Sequence, residues 1–112
     1  MTRYLVDGNN VMGARPDGWW RDRADAMQRL VNQLDDLAGA QGDDLHVVFD
    51  GRERELQAVR VAVSFARHAD DAIAERAGPG LTVVTADREL AGRVRAKGAE
   101  VVGARSLLKR LG

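Results

Sequence analysis

The chain has 112 residues, 45% of them apolar and 30% charged, a balance ordinary for a globular fold with one hydrophobic core. Its 17 basic and 17 acidic residues cancel, and the absence of cysteine excludes a disulfide framework, a thiolate metal site and a cysteine nucleophile. No stretch nears the ~20 apolar residues that span a bilayer, and Asp7 interrupts the first apolar run before a signal-peptide core can form, so a cytoplasmic protein is expected.

Tyr4, Leu5 and Val6 form a run suited to a strand buried on both faces, and Asp7-Gly8-Asn9-Asn10 ends it. Val11 to Trp20 holds Gly13, Pro16, Asp17 and Gly18 and reads as a loop. Trp19 and Trp20 close that loop; one suits a core cap at a helix entrance, and the other is left open as a platform on which a base could stack. From Arg21 to Ala38 the apolar positions Ala24, Met27, Leu30, Val31, Leu34, Leu37 and Ala38 recur every three or four residues. That period predicts an amphipathic helix ended by Gly39 and Gly42.

Leu45 to Phe49 is a second strand, closed by Asp50-Gly51. Residues 51 to 58 are charged and read as loop or short helix. Val59, Val61 and Val63 then alternate with Arg60, Ala62 and Ser64, which predicts a half-exposed edge strand over 59–63. The stretch before it is short for a parallel crossover, so the direction and partner of that strand stay open. Ala69 to Ala77 is a helix stopped by Gly78-Pro79-Gly80. Leu81 to Thr85 is a strand, Arg88 to Lys97 a helix, Glu100 to Val102 a short strand, and Leu107, Leu108 and Leu111 a last helical turn or two. This alternation predicts one domain over 1–112, a three-layer α/β/α sandwich with a mainly parallel sheet.

Val6-Asp7-Gly8, Phe49-Asp50-Gly51 and Thr85-Ala86-Asp87 each put a carboxylate at a strand end, and Asp70-Asp71 opens the helix after the edge strand. If the strands are parallel, all four acidic sites share the carboxyl edge of one sheet, where ligands bind in open α/β folds. Each acid alone has a simple structural role: Asp-Gly is a turn pair, and Asp87, Asp70 or Asp71 suits a helix N-terminus. Turns and caps do not require an acid at every main strand, however. Carboxylates gathered at one edge repel, and a hard divalent cation is the simplest compensation. Asn10 is placed to hold the Asp7 loop, and Thr85 to orient a carboxylate or a water. Arg52, Arg67, His68 and Arg88 fall near the same edge as phosphate contacts.

The charges are unevenly spread. Residues 30–50 carry five aspartates and no Lys or Arg, while residues 88–110 carry Arg88, Arg93, Arg95, Lys97, Arg105, Lys109 and Arg110 against Glu89 and Glu100. A basic last third suits contact with phosphates. Two other phosphate chemistries lose on specific positions. A receiver domain wants an acid pair where Gly8 follows Asp7, and a haloacid-dehalogenase-like phosphatase wants a second Asp where Asn9 stands.

Asp7-Gly8-Asn9-Asn10-Val11, Phe49-Asp50-Gly51, Ala69-Asp70-Asp71-Ala72-Ile73 and Val84-Thr85-Ala86-Asp87-Arg88-Glu89-Leu90 resemble the NYN domain of the PIN-like superfamily, in its YacP-like branch of predicted RNA-binding proteins and ribonucleases. The resemblance implies a Rossmann-like PIN fold, an Mg²⁺ or Mn²⁺ site and endonucleolytic cleavage of single-stranded or structured RNA. By motif, Asp7, Asp70 and Asp87 correspond to the metal-binding acids. Asp70, three residues before Ile73, fits the pattern better than Asp71. Asp50 supports the cluster. The expectation is thus a metal-dependent endoribonuclease; the alternative is an RNA-binding or protein-recruiting module without significant catalysis. Self-association, or a ribosomal or RNA-processing partner, is left open.

Overall fold

The structure, a computed structural model, describes residues 1–111. Five strands form one sheet: β1 (Arg3–Asp7), β2 (Asp44–Asp50), β3 (Ala62–Ala66), β4 (Leu81–Val84) and β5 (Glu100–Val102). Every neighbouring pair is parallel, in the order β3-β2-β1-β4-β5. Around the sheet lie α1 (Gly8–Gly13), α2 (Arg23–Gln41), α3 (Ala69–Arg76), α4 (Arg88–Ala96) and α5 (Ala104–Leu111), with a 3₁₀ turn at Trp19–Arg21.

The strand pleat divides the core in two. Val6, Val47, Phe49 and Val84 face α1, α2 and α5, packing against residues such as Met27, Leu30, Leu34 and Leu107. Their chain neighbours Leu5, Val48 and Val83 face α3 and α4 and pack against Ile73, Leu90 and Val94. Strands buried on both faces must be apolar throughout, which is why these runs do not alternate. No described helix is long and apolar enough to cross a membrane.

Two expectations need correction. Residues 11–20 are not all loop, because α1 starts directly after Asp7 and carries Val11 and Met12 into the core. A helix this short has too few turns for its period to show. The edge strand also lies three residues later than Val59–Val63 suggests, at Ala62–Ala66, and runs parallel to β2. Val59 is 88% exposed. Its N–H and those of Arg60 and Val61 donate to the Asp35 carboxylate of α2 at 2.9 Å. Partial burial opposes ionisation of Asp35, but these three donors and the Arg60 charge outweigh it and hold the carboxyl below its usual range. The Gln28 side-chain amide fixes the same segment, donating to the Gln57 carbonyl and accepting the Gln57 backbone N–H. An extended stretch tied to α2 therefore makes the parallel return, and no crossover helix is needed.

Chain order reverses beside β1: the chain passes from β1 outward to β2 and β3, then crosses to β4 and β5 on the other side. Open α/β sheets form their ligand crevice at such a switch point. Asp7 stands at the carboxyl end of the strand from which both directions depart.

Candidate active site

A cavity of about 430 Å³ opens at this edge, lined by Asp7, Asn9, Asn10, Asp50, Asp70 and Asp87. All six residues are acids or amides. None of the four acids has an ion-pair partner among the described residues.

Asp7 is the deepest, 6% exposed. Burial pushes its carboxyl from the usual 3.8 up to about 6; the Thr85 hydrogen bond opposes this, and the negative charges of Asp50 and Asp87 add to it. The Thr85 hydroxyl donates to Asp7 Oδ2 at 2.9 Å, and the same oxygen of Thr85 accepts the Asp87 N–H at 3.1 Å. One buried hydroxyl thereby sets the spacing of two acids that repel each other. Asp87 accepts the Glu89 and Leu90 N–H groups at Oδ1, capping α4. Asp50 accepts the Ala69 N–H at 2.8 Å and so supports the first turn of α3 from a neighbouring strand end. The cap role expected of Asp87 is real, and Asp50, expected as a turn residue, supports the start of α3 instead; these bonds orient the two carboxylates.

The asparagines bind the strand ends together. Asn9 Oδ1 accepts the Asp50 N–H at 2.8 Å, and Asn10 Oδ1 accepts the Ala86 N–H at 2.7 Å. Consecutive residues on a helix point ~100° apart, so two adjacent amides reach opposite neighbours of β1. Asn10 therefore holds the β4–α4 loop, which carries Asp87. Asn9, which the sequence analysis does not single out, also lines the cavity. The signal was available in two amides directly after a strand end, but not without knowing that a helix starts at Gly8. Gly8 itself permits a close approach: a Cβ there would stand 2.6 Å from the Phe49 ring and 2.9 Å from Val47.

Of the adjacent pair on α3, Asp70 lines the cavity. Asp71 instead pairs with Arg93 of α4 at 2.9 Å. Arg52, Arg67, His68 and Arg88 are exposed at the loops and helix start around this edge, but none lines the cavity. Trp19 packs against the core and the Gly13 end of α1, while Trp20 meets it edge-on at 6.1 Å and remains 58% exposed. Arg23 lies over Trp19 and Arg21 over Trp20, at 5.4 and 5.9 Å from the ring centres.

Among the described residues, no three His, Asp or Glu side chains are already grouped as a metal cage. That geometry does not suit an ion wrapped wholly by protein. The donor set does suit Mg²⁺ or Mn²⁺, hard cations that take oxygen ligands; Mg²⁺ keeps several waters and needs only one or two direct carboxylates. The uncompensated charge around Asp7 is what such an ion would relieve.

Similarities to known proteins agree with this architecture. A crystal structure of Rae1 (YacP) from Bacillus subtilis superposes with a TM-score of 0.82 at 27% identity, over 99% of this chain and 74% of that one. A variant of the same protein with one tryptophan replaced by leucine gives 0.84 at 27% identity, over 99% and 75%. No curated protein sequence is matched. Nucleases of the NYN type generally depend on divalent metals. The YacP-like NYN domain family matches residues 4–112, and the chain belongs to that nuclease-like family.

Proposed function

We propose that residues 1–112 are one NYN domain acting as an Mg²⁺- or Mn²⁺-dependent endoribonuclease, with the carboxyl-edge cavity as its active site. The observation that carries this reading is the set of four acids around one cavity that no cation lines, none of them in an ion pair among the described residues, at the switch point of a parallel sheet. Asp7, Asp70 and Asp87 would hold the ion, with Asp50 in support. When bound, the ion would neutralise the acids, activate water and stabilise charge on the phosphodiester.

The chain's own residues supply position. Thr85 holds Asp7 and Asp87 in register, and the two asparagines hold the strand ends that carry Asp50 and Asp87. A carboxylate of the cluster would take a proton from a water as the water oxygen bonds to phosphorus, and the backbone oxygen whose P–O bond breaks would leave with a proton from solvent. Arg52, Arg67, His68 and Arg88 hold neighbouring phosphates from the rim. RNA is the substrate class supported by the likeness to YacP-like proteins.

The test is cleavage of end-labelled RNA in Mn²⁺ by the wild type and by Asp7→Asn. Cleavage by the wild type alone supports the assignment; equal rates in the two proteins sink it. The lack of a preformed metal cage favours a second reading, an RNA-binding or recruiting module. RNA binding that survives EDTA, with no cleavage in any divalent metal, would select it.

A further inference from the structure

A second depression, of about 500 Å³, lies between the end of α1 and α5, lined by Ala14, Pro16, Arg105, Leu108 and Lys109. It has the opposite chemistry to the acidic cavity: an apolar floor with two cationic side chains. Neither Arg105 nor Lys109 has an ion-pair partner among the described residues, whereas the adjacent Arg110 is drawn to Asp43 at 3.7 Å. The groove beside Arg110 also contains Asp36, and the one at the amino edge contains Glu100.

Residues lining the two depressions stand one helical turn apart at the end of α1. Asn10 lines the acidic cavity, and the N–H of Ala14, which lines the groove, bonds to the Asn10 carbonyl at 3.1 Å. Residues four apart share a helix face and are ~6 Å apart along the axis. That is roughly two stacked nucleotides at ~3.4 Å each. A polyanion gains nothing from four uncompensated acids, so its affinity must come from nearby surface of the other sign. A single strand offers phosphates to cations and base faces to apolar side chains.

We propose that single-stranded RNA leaves the acidic cavity across α1 and enters this groove. Arg105 and Lys109 contact its phosphates, and a base rests on Pro16 and Leu108. The proposal rests on reading the acidic cavity as the cleavage site. It also selects two members of the basic C-terminal third as strand contacts, because Arg93 and Arg110 are committed to Asp71 and Asp43.

The experiment is fluorescence anisotropy on the full chain in EDTA, with labelled single-stranded RNA of about 12 nucleotides. The Arg105→Gln/Lys109→Gln variant should bind about tenfold more weakly. Its dependence of log affinity on log salt should be shallower by about 1.4, or ~0.7 for each lost phosphate contact. Both side chains are exposed, and an unchanged melting curve confirms the fold. Affinity and salt slope equal to wild type overturn the proposal, as does a wild type that does not bind RNA. Weakened binding in a protein whose wild type cleaves nothing keeps the strand path and removes the nuclease reading. Undiminished binding in a protein that cleaves does the reverse.

Discussion

The two edges of the sheet dispose of their acids differently. At the amino edge Asp44 faces Arg3 and Asp43 faces Arg110, each at 3.7 Å, and Asp43 also accepts the Thr2 N–H. The chain turns into β2, β4 and β5 there through Gly42, Gly80 and Gly98, all at positive φ. At the carboxyl edge Asp7, Asp50, Asp70 and Asp87 have no cationic partner among the described residues, and side-chain hydrogen bonds from Thr85, Asn9 and Asn10 organise the strand ends. A glycine adds no side chain at a turn; the carboxyl edge has one too, Gly51, but there the Asp50 carboxylate precedes it. A turn built from amides and carboxylates closes a strand end and leaves oxygen atoms facing a cavity. One edge pairs Asp43 and Asp44 with arginines; the other leaves four carboxylates without a cation beside them.

This contrast breaks most sharply at Asp7. Asp7→Asn should cut RNA cleavage on the order of 100-fold or more, since even groups that only support metal ligands cost 10–100-fold. The same change should stabilise the chelator-treated protein by about 1–2 kcal/mol. The folded-state pKa of about 6 lies above the ordinary 3.8, so the fold holds a proton that the unfolded chain has released between those values. Wild-type stability should therefore fall as pH rises from 4 through 6 and then level off, while the variant lacks that dependence. Thermal melts in EDTA across this range measure it, and a variant less stable than wild type at pH 7.5 would contradict the burial argument.

Thr85→Val should follow, with activity down about 10–100-fold and stability down about 1–3 kcal/mol. The Asp87 N–H and Asp7 Oδ2 both lose their partner there. Urea melts and cleavage rates read the two effects separately. Gly8→Ala should cost about 1–3 kcal/mol by crowding Phe49, although its φ is ordinary; a neutral result would mean that the ring moves freely. Arg3→Ala at the other edge removes a pair whose side chains are 66% and 55% exposed. It should change stability by less than about 0.5 kcal/mol and leave cleavage unaltered. A large effect there would erase the distinction between the edges.

Much of this was legible before folding. The runs at Tyr4–Val6, Leu45–Phe49 and Leu81–Val84 are apolar enough to require burial on both faces, and their alternation with helical periods implied a parallel sheet. Parallel strands in turn put Asp7, Asp50 and Asp87 at one edge. Element boundaries were less legible where non-local bonds decided them. Val59 to Val63 alternates like a strand, but the Asp35 carboxylate takes the N–H groups of residues 59–61 and moves the start of pairing to Ala62.

The sequence by itself determined the fold class and the acids available, because period and composition act locally along the chain. Tertiary structure alone decided which of Asp70 and Asp71 lines the cavity, that Asn9 and Asn10 clamp opposite neighbours of β1, and that Arg105 and Lys109 line one groove without an ion pair while Arg110 lines another and pairs with Asp43. Adjacent residues on a helix differ by ~100° in direction. One position along the chain therefore separates a cavity from an ion pair, and only the packed neighbours determine which side is which.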